Sequence, residues 1–209
     1  MPTSVFLIRH GAYEHRPSLQ GDAASDLGLS ELGRQQARAL RDRLVRTQEI
    51  QADALFCSTL PRARQTAELI APVFGLPLQA VPELCEWESG NEVLGVDLFM
   101  ARFNALSPTQ RLHHRFHPGC ETLAEFTERV QSRLAELLQA FDEQTLVIVA
   151  HGGIIEVAFA YFLGLGRRPF EGGYPAAGHA SITLWRRPAA RDDWVQEFAN
   201  DTHHLRIDA

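Results

Sequence analysis

Short apolar runs alternate along the chain with longer segments in which apolar residues recur every three or four positions. The short runs predict strands at residues 5–8, 54–57, 78–81, 146–150, 181–185 and 194–198. Three of these runs, including the first, are continuously apolar, which is typical of strands buried in a parallel sheet. The last two strands are compatible with a hairpin.

Helix signals lie between the predicted strands. Ser30 is a typical N-cap, and apolar residues follow it at helical spacing. Pro61 is suited to the first turn of a second helix. Thr122 and Glu125 form a capping-box pattern before a long amphipathic helix. A further, strongly apolar helix is expected over residues 154–163.

The alternation of strands and helices predicts an α/β fold. We expect a single domain over residues 1–209, with three layers formed by a mostly parallel central sheet and flanking helices. Residues 9–29 have the pattern of a loop. The pattern is also weak over residues 87–120, apart from a helical segment at 96–105. This stretch is expected to be a lid or specificity insert.

The charged residues narrow the possible chemistry. The chain has 209 residues with 20 basic and 26 acidic side chains, so its formal net charge is −6. Every basic residue is arginine. The lack of lysine excludes Schiff-base chemistry and the lysine-dependent P-loop and kinase sites. Arginine, histidine and backbone N–H groups must therefore hold any anion, and the net acidity argues against a nucleic-acid partner.

Targeting signals and cysteines bear on location. No apolar run approaches the roughly 20 residues of a membrane-spanning helix, and the first residues lack a secretory signal pattern. Cys57, Cys85 and Cys120 are widely spaced, which favours reduced thiols. We expect a cytoplasmic protein with no membrane partner, and a homodimer is compatible with the sequence.

Polar residues stand where the predicted buried strands end. His10 and His151 each follow such a strand and precede a glycine, and Arg62 follows the end of another strand. Ligands of open α/β sheets bind at the carboxyl ends of the strands, where helix N-termini also favour anions. Together with Arg9, these side chains predict a site for a tetrahedral dianion.

These residues belong to a set of motifs that resembles the histidine phosphatase superfamily, also called the phosphoglycerate mutase-like family. The set runs in order over nearly the whole chain as Leu7-Ile8-Arg9-His10-Gly11, Leu29-Ser30-x-x-Gly33, Ser58-x-x-x-Arg62-Ala63, Leu84-x-Glu86, Gly119-x-Glu121-Thr122 and Val149-Ala150-His151-Gly152-Gly153. The resemblance implies a phosphoglycerate mutase-like fold and a phosphatase-branch enzyme.

The resemblance also implies roles. His10 would take the phosphoryl group covalently, while Arg9, Arg62 and His151 would stabilise its charge without a metal or cofactor. Glu86 would give a proton to the leaving group, with Glu83 as the alternative in the same acidic loop. The protein is thus expected to be a histidine acid-type phosphatase, a phosphoric monoester hydrolase acting on a small phosphorylated metabolite.

Other positions are expected to contact the substrate. The resemblance places Gly11, Gly152 and His179 at the pocket. Many members of the family have an acid or Gln, then Ser or Thr, and later Asn after the Arg-His-Gly motif. This chain has Ala12, Tyr13 and Arg16 at those places.

Tyr13 and Arg16 are therefore expected to set a different substrate preference. The cationic pair of His15 and Arg16 favours an acidic phosphoester.

Alternatives stay open at the level of sequence. Cofactor-dependent phosphoglycerate mutase activity is the second reading, although such enzymes usually have a longer stretch between Glu86 and Glu121. A non-catalytic phospho-ligand-binding regulator is a third. An α-ribazole phosphatase-like or phosphohistidine-protein phosphatase role is also open. His113 and His117 have the spacing of one helical turn, but Pro118 follows at once, so a solvated or lid-lining role is expected rather than a metal site.

Overall fold

The computed structural model describes residues 1–15, 26–166 and 173–206. The strands in this part of the chain are β1 (Thr3–Arg9), β2 (Tyr13–His15), β3 (Asp26–Leu29), β4 (Ala54–Ser58), β5 (Leu78–Val81), β6 (Thr145–Ala150), β7 (Ile182–Arg187) and β8 (Val195–Asp201). The α-helices are α1 (Glu31–Thr47), α2 (Pro61–Phe74), α3 (Asn91–Leu94), α4 (Val96–Ala105), α5 (Pro108–His113), α6 (Leu123–Ala140) and α7 (Gly152–Phe162). Short 3₁₀ turns follow β5 and β8.

Six strands form the central sheet in the order β5-β4-β6-β1-β7-β8. The strands β5, β4, β6 and β1 are mutually parallel, whereas β7 and β8 join as an antiparallel hairpin at one edge. All six predicted strands and the hairpin are confirmed. Because β4, β6 and β1 are neighbours, the residues that follow them meet at one edge of the sheet.

Helices cover both faces of the sheet, as buried strands require. On one face, Phe126 and Val130 of α6 and Ile154 of α7 belong to one apolar cluster. On the other face, Leu40 of α1 and Ile70 of α2 belong to a second cluster. The protein is therefore an α/β domain with a mostly parallel sheet between two helical layers, as predicted.

The helix starts follow the capping signals. Ser30 Oγ accepts a hydrogen bond from the Gly33 N–H at the start of α1. At the start of α6, Thr122 and Glu125 form the predicted capping box, in which each side chain accepts from the other residue's backbone N–H. The helix that begins at Pro61 is also confirmed.

The structure adds elements to two segments with weak patterns. The expected loop before α1 contains β2 and β3, which pair as an antiparallel ribbon. These strands are three and four residues long, too short for periodicity to reveal. The segment 87–120 contains α3 and α5 besides the predicted helix at 96–105. Within the described ranges, none of the helices combines the length and apolarity needed to span a bilayer.

Candidate active site

The functional candidates converge where the parallel strands end. His10 follows β1, His151 is the N-cap of α7 after β6, and Arg62 is the second residue of α2 after β4. The rings of His10 and His151 lie 5.1 Å apart between centroids. The pairing of β1 with β6 places these histidines side by side although 141 positions separate them.

His10 is buried and held by two hydrogen bonds. Its Nδ1 lies 2.7 Å from the Gly11 carbonyl oxygen, and Arg62 Nε donates to its Nε2 at 3.2 Å. A carbonyl only accepts and a guanidinium only donates, so the hydrogen is on Nδ1 and the lone pair is on Nε2. Burial, helped by the charges of Arg62 and Arg9, lowers the pKa of His10 to about 3. The ring is therefore neutral at neutral pH.

Arg62 is fixed by an acid that the sequence reasoning missed. Asp26 of β3 accepts from Arg62 Nη1 at 2.9 Å, and both side chains are buried. The guanidinium also lies over the ring of Tyr13, with Cζ 4.5 Å from the centroid. Asp26 lies in the segment that the sequence predicted as a loop, so no secondary-structure pattern marked it. The available clue was chemical: a buried arginine needs an anionic partner, and an acid in this segment could provide one.

His151 is fully buried beside His10. Its Nε2 lies 2.8 Å from the Oγ of Ser58, the last residue of β4. Burial lowers the pKa of His151 well below its usual value, and the positive charges of Arg62 and Arg9 lower it further. His151 is therefore a neutral hydrogen-bonding group at neutral pH.

Three buried nitrogen atoms around His10 lack a hydrogen-bond partner among the described residues. They are Arg9 Nε, His151 Nδ1 and His179 Nε2. The His179 ring lies 5.5 Å from that of His10, and Arg9 directly precedes His10 in the chain. A buried polar atom without a partner costs about 1–3 kcal/mol. An anion bound against His10 removes that cost, so the arrangement favours an anionic ligand.

Glu86 reaches the same site from the acidic loop. Its Oε2 accepts from the Gly153 N–H at 3.1 Å, and its Oε1 accepts from the Trp87 N–H at 3.0 Å. A Cβ at Gly153 would lie 2.3 Å from Glu86 Oε1, so only glycine permits this approach. The alternative acid, Glu83, instead lies 3.5 Å from the guanidinium of Arg133. The structure thus brings Glu86, rather than Glu83, to the start of α7.

Glu156 is a second acid that the sequence reasoning missed. It lies one turn into α7, and burial raises its pKa to about 8, with the nearby carboxyl group of Glu86 adding to the shift. Its signal was visible, because it is the single charged residue in the otherwise apolar helix from Gly152 to Phe162.

Of the other residues predicted to contact the substrate, Tyr13, Gly11 and Gly152 lie near His10 or Arg9. The Tyr13 ring lies 5.3 Å from that of His10, and the Gly11 N–H donates to Thr66 Oγ1 at 3.1 Å beside it. An added Cβ at Gly152 would lie 3.8 Å from the Arg9 guanidinium. These positions therefore border the site, whereas Arg16 lies outside the described residues.

His113 and His117, in the segment 87–120, do not lie on the same helix. The helix α5 ends at His113, so His117 lies beyond it rather than one turn along it. In the three described ranges, residues 1–15, 26–166 and 173–206, no group of three His, Cys, Asp or Glu is arranged to hold a metal ion.

The strand ends of this mostly parallel sheet thus bring together two neutral buried histidines and two arginines in an α/β protein. The sequence model of the histidine phosphatase superfamily, branch 1, matches residues 5–201. The chain belongs to this superfamily.

Individual relatives include phosphatases and mutases. The chain is 29% identical over 162 residues to a Bacillus subtilis protein named uncharacterized phosphatase PhoE, covering 78% of each chain. It is 28% identical over 214 residues to a probable phosphoglycerate mutase GpmB of Enterobacter, covering 96% of this chain and 94% of that one. Several further relatives are longer, and the match spans 33% to 34% of their length.

A solved structure shares the fold. Bacillus stearothermophilus YhfR superposes with a TM-score of 0.76 at 20% identity, covering 98% of this chain and 100% of that one. The similarity to this structure is evidence for the fold alone.

Proposed function

We propose that the protein hydrolyses small phosphate monoesters through a covalent phosphohistidine at His10, without a metal ion. The observation that carries the proposal is the neutral imidazole of His10 surrounded by unpartnered nitrogens of Arg9, His151 and His179. A phosphoryl group bound there meets a nucleophile on one side and hydrogen-bond donors at its oxygens. Phosphoryl transfer relies on such positioning and charge stabilisation.

In the first step, His10 Nε2 attacks phosphorus and the bond from phosphorus to the leaving oxygen breaks. The Gly11 carbonyl keeps the proton on Nδ1, so the lone pair stays on the attacking nitrogen. Arg62 then transfers its Nε hydrogen bond from His10 to a phosphoryl oxygen, while Asp26 continues to hold its Nη1.

Glu86 gives its proton to the leaving oxygen. Each Glu86 oxygen accepts one backbone N–H, which leaves a further position on each oxygen for that proton.

In the second step, a water molecule attacks the phosphohistidine. The carboxylate of Glu86, now deprotonated, takes a proton from that water as its oxygen bonds to phosphorus. The bond between phosphorus and Nε2 breaks, inorganic phosphate leaves, and His10 returns to the neutral form that its burial favours.

The test is turnover of p-nitrophenyl phosphate with and without EDTA. We expect turnover that survives EDTA and is lost in His10→Ala, while the exposed His113→Ala serves as the matched control. Loss of activity with EDTA contradicts the metal-free route. The relatives include a probable mutase, so 3-phosphoglycerate mutase activity is measured alongside. Mutase turnover exceeding hydrolysis, or binding of phosphate without any turnover, also contradicts the proposal.

A further inference from the structure

A cavity of about 290 Å³ opens beside the proposed phosphate site. Glu86 and Gly153 border it, and these two residues are joined by the hydrogen bond at the start of α7. Because Glu86 is the proposed proton donor to the leaving oxygen, the cavity lies where the alcohol portion of a bound phosphate monoester must extend. Its residues therefore select the alcohol.

Aromatic rings form one side of this cavity. Trp87, Phe99, Phe103 and Phe126 all line it, and the Trp87 ring lies 5.9–6.4 Å from the other three between centroids. Trp87 Nε1 donates to the Glu121 carbonyl oxygen at 3.1 Å, which fixes the indole. Faces of fixed aromatic rings attract cations through the ring quadrupole.

Two rings of this cluster each contact an arginine side chain. Arg111 lies 4.5 Å from the centroid of Phe103, and Arg129 lies 5.2 Å from that of Phe126. Neither arginine is among the residues that line the cavity. The cavity-lining part of the cluster therefore offers ring surface without a cationic side chain of its own, as far as the described residues show.

A carboxyl group also belongs to the lining of the cavity. Glu156 lines the cavity and forms no hydrogen bond within the described parts of the chain. Burial and the nearby carboxyl group of Glu86 raise the pKa of Glu156 to about 8, so a cation in the cavity would offset the cost of its ionised form. A neutral apolar alcohol would instead cover this carboxyl without giving it a partner.

We propose that the cavity binds the ammonium group of a cationic alcohol, so that the preferred substrates are phosphate monoesters of small amino or quaternary ammonium alcohols. This inference rests on the proposed function, because it assigns the alcohol of the same phosphoester. It differs from the acidic preference expected from His15 and Arg16, which stays a prediction because Arg16 lies outside the described residues. Within the described lining, the acids are Glu86 and Glu156.

The test compares two substrates of the same shape. Phosphocholine carries a quaternary ammonium group, and 3,3-dimethylbutyl phosphate has carbon in place of that nitrogen. We expect kcat/KM of the unmodified protein to favour phosphocholine by about tenfold. Glu156→Gln should lower this ratio without abolishing it, because the aromatic rings remain to attract the ammonium group. Glu68→Gln, the same change at an exposed ion pair, should keep the ratio of the unmodified protein.

The outcomes separate the inference from the proposed function. Equal or faster hydrolysis of the neutral isostere by the unmodified protein overturns the inference without needing any variant. Turnover of p-nitrophenyl phosphate with neither of the two esters hydrolysed overturns it as well. Failure to hydrolyse p-nitrophenyl phosphate itself removes the proposed function, and the inference with it. Urea unfolding checks that Glu156→Gln is folded. If the folded variant keeps the kcat/KM ratio of the unmodified protein, Glu156 is not the cause of the preference for phosphocholine.

Discussion

At the scale of single residues, His10 is prepared for attack by two hydrogen bonds of opposite sense. The Gly11 carbonyl fixes the proton on Nδ1, and Arg62 Nε occupies the lone pair on Nε2. The same arginine is anchored by Asp26. Arg62 is therefore oriented at three points, by His10, by Asp26 and by the face of Tyr13.

This anchoring makes the planar guanidinium, rather than its charge alone, the working feature of Arg62. In Arg62→Lys, a single ammonium cannot contact Asp26, His10 and a phosphoryl oxygen together. We expect kcat for p-nitrophenyl phosphate to fall on the order of a hundredfold, the usual cost of losing one positioned donor. Steady-state kinetics with urea unfolding as the folding control measure this effect. Turnover near that of the unmodified protein would mean that the positive charge is sufficient.

The buried histidines also predict how stability depends on pH. Burial lowers the pKa of His10 to about 3 and lowers that of His151 too, whereas in the unfolded chain both take up a proton near pH 6.5. Below pH 6.5 the unfolded state therefore binds more protons, and stability falls as pH falls. Each residue contributes up to about 1.4 kcal/mol per pH unit.

We expect the urea unfolding free energy to decrease from pH 7 to pH 5 in buffers free of phosphate. This decrease in unfolding free energy should be smaller in His10→Gln, because glutamine at position 10 does not titrate. The exposed control His113→Gln should show the same decrease as the unmodified protein. A flat profile between these pH values contradicts the neutral buried state of His10.

At the scale of elements, the start of α7 brings several of the proposed site residues into contact. His151 caps this helix, Gly152 borders Arg9, and the Gly153 N–H holds Glu86. A helix N-terminus offers free N–H groups and a partial positive charge, which suit a carboxylate and a bound phosphoryl group. One short segment thus positions groups for both proposed steps.

The close packing of Glu86 on Gly153 gives a test of this arrangement. In Gly153→Ala, the added Cβ would lie 2.3 Å from Glu86 Oε1 and 3.2 Å from Phe126, so the acid must move. We expect a loss of kcat on the order of a hundredfold, within the usual range for a positioned general acid.

The neighbouring variant provides the comparison. In Gly152→Ala the new Cβ meets nothing nearer than 3.8 Å, so the loss of kcat should be smaller than in Gly153→Ala. Equal losses in the two variants would show that the geometry of Glu86 is not responsible.

Element patterns in the sequence predicted most of this framework. The continuous apolar runs located β1, β4 and β6, and the capping signals located Ser30 and Thr122 at helix starts. The antiparallel pairing of β2 with β3 was not predictable, because strands of three and four residues are too short to show alternation.

At the scale of the whole molecule, the site is assembled from distant parts of the chain. Parallel pairing of β1 with β6 and of β4 with β6 brings together His10, Arg62 and His151. Their strand-end positions made this convergence predictable. Asp26 was not identified, because its role depends on burial and on a partner far along the chain, which only the tertiary structure supplies. Glu156 was overlooked although it is the single charged residue in α7, because its buried surroundings are known only from the tertiary structure.

The most direct test of the account is to trap the phosphorylated protein. Rapid mixing with p-nitrophenyl phosphate, quenching in alkali and intact-mass analysis should show an added mass of one phosphoryl group. This group should be labile to acid, and peptide mapping should place it on His10. His10→Ala should show no such group under the same conditions, whereas His113→Ala should. Sustained turnover with no trapped phosphohistidine, or a phosphoryl group on another residue, would contradict the central claim.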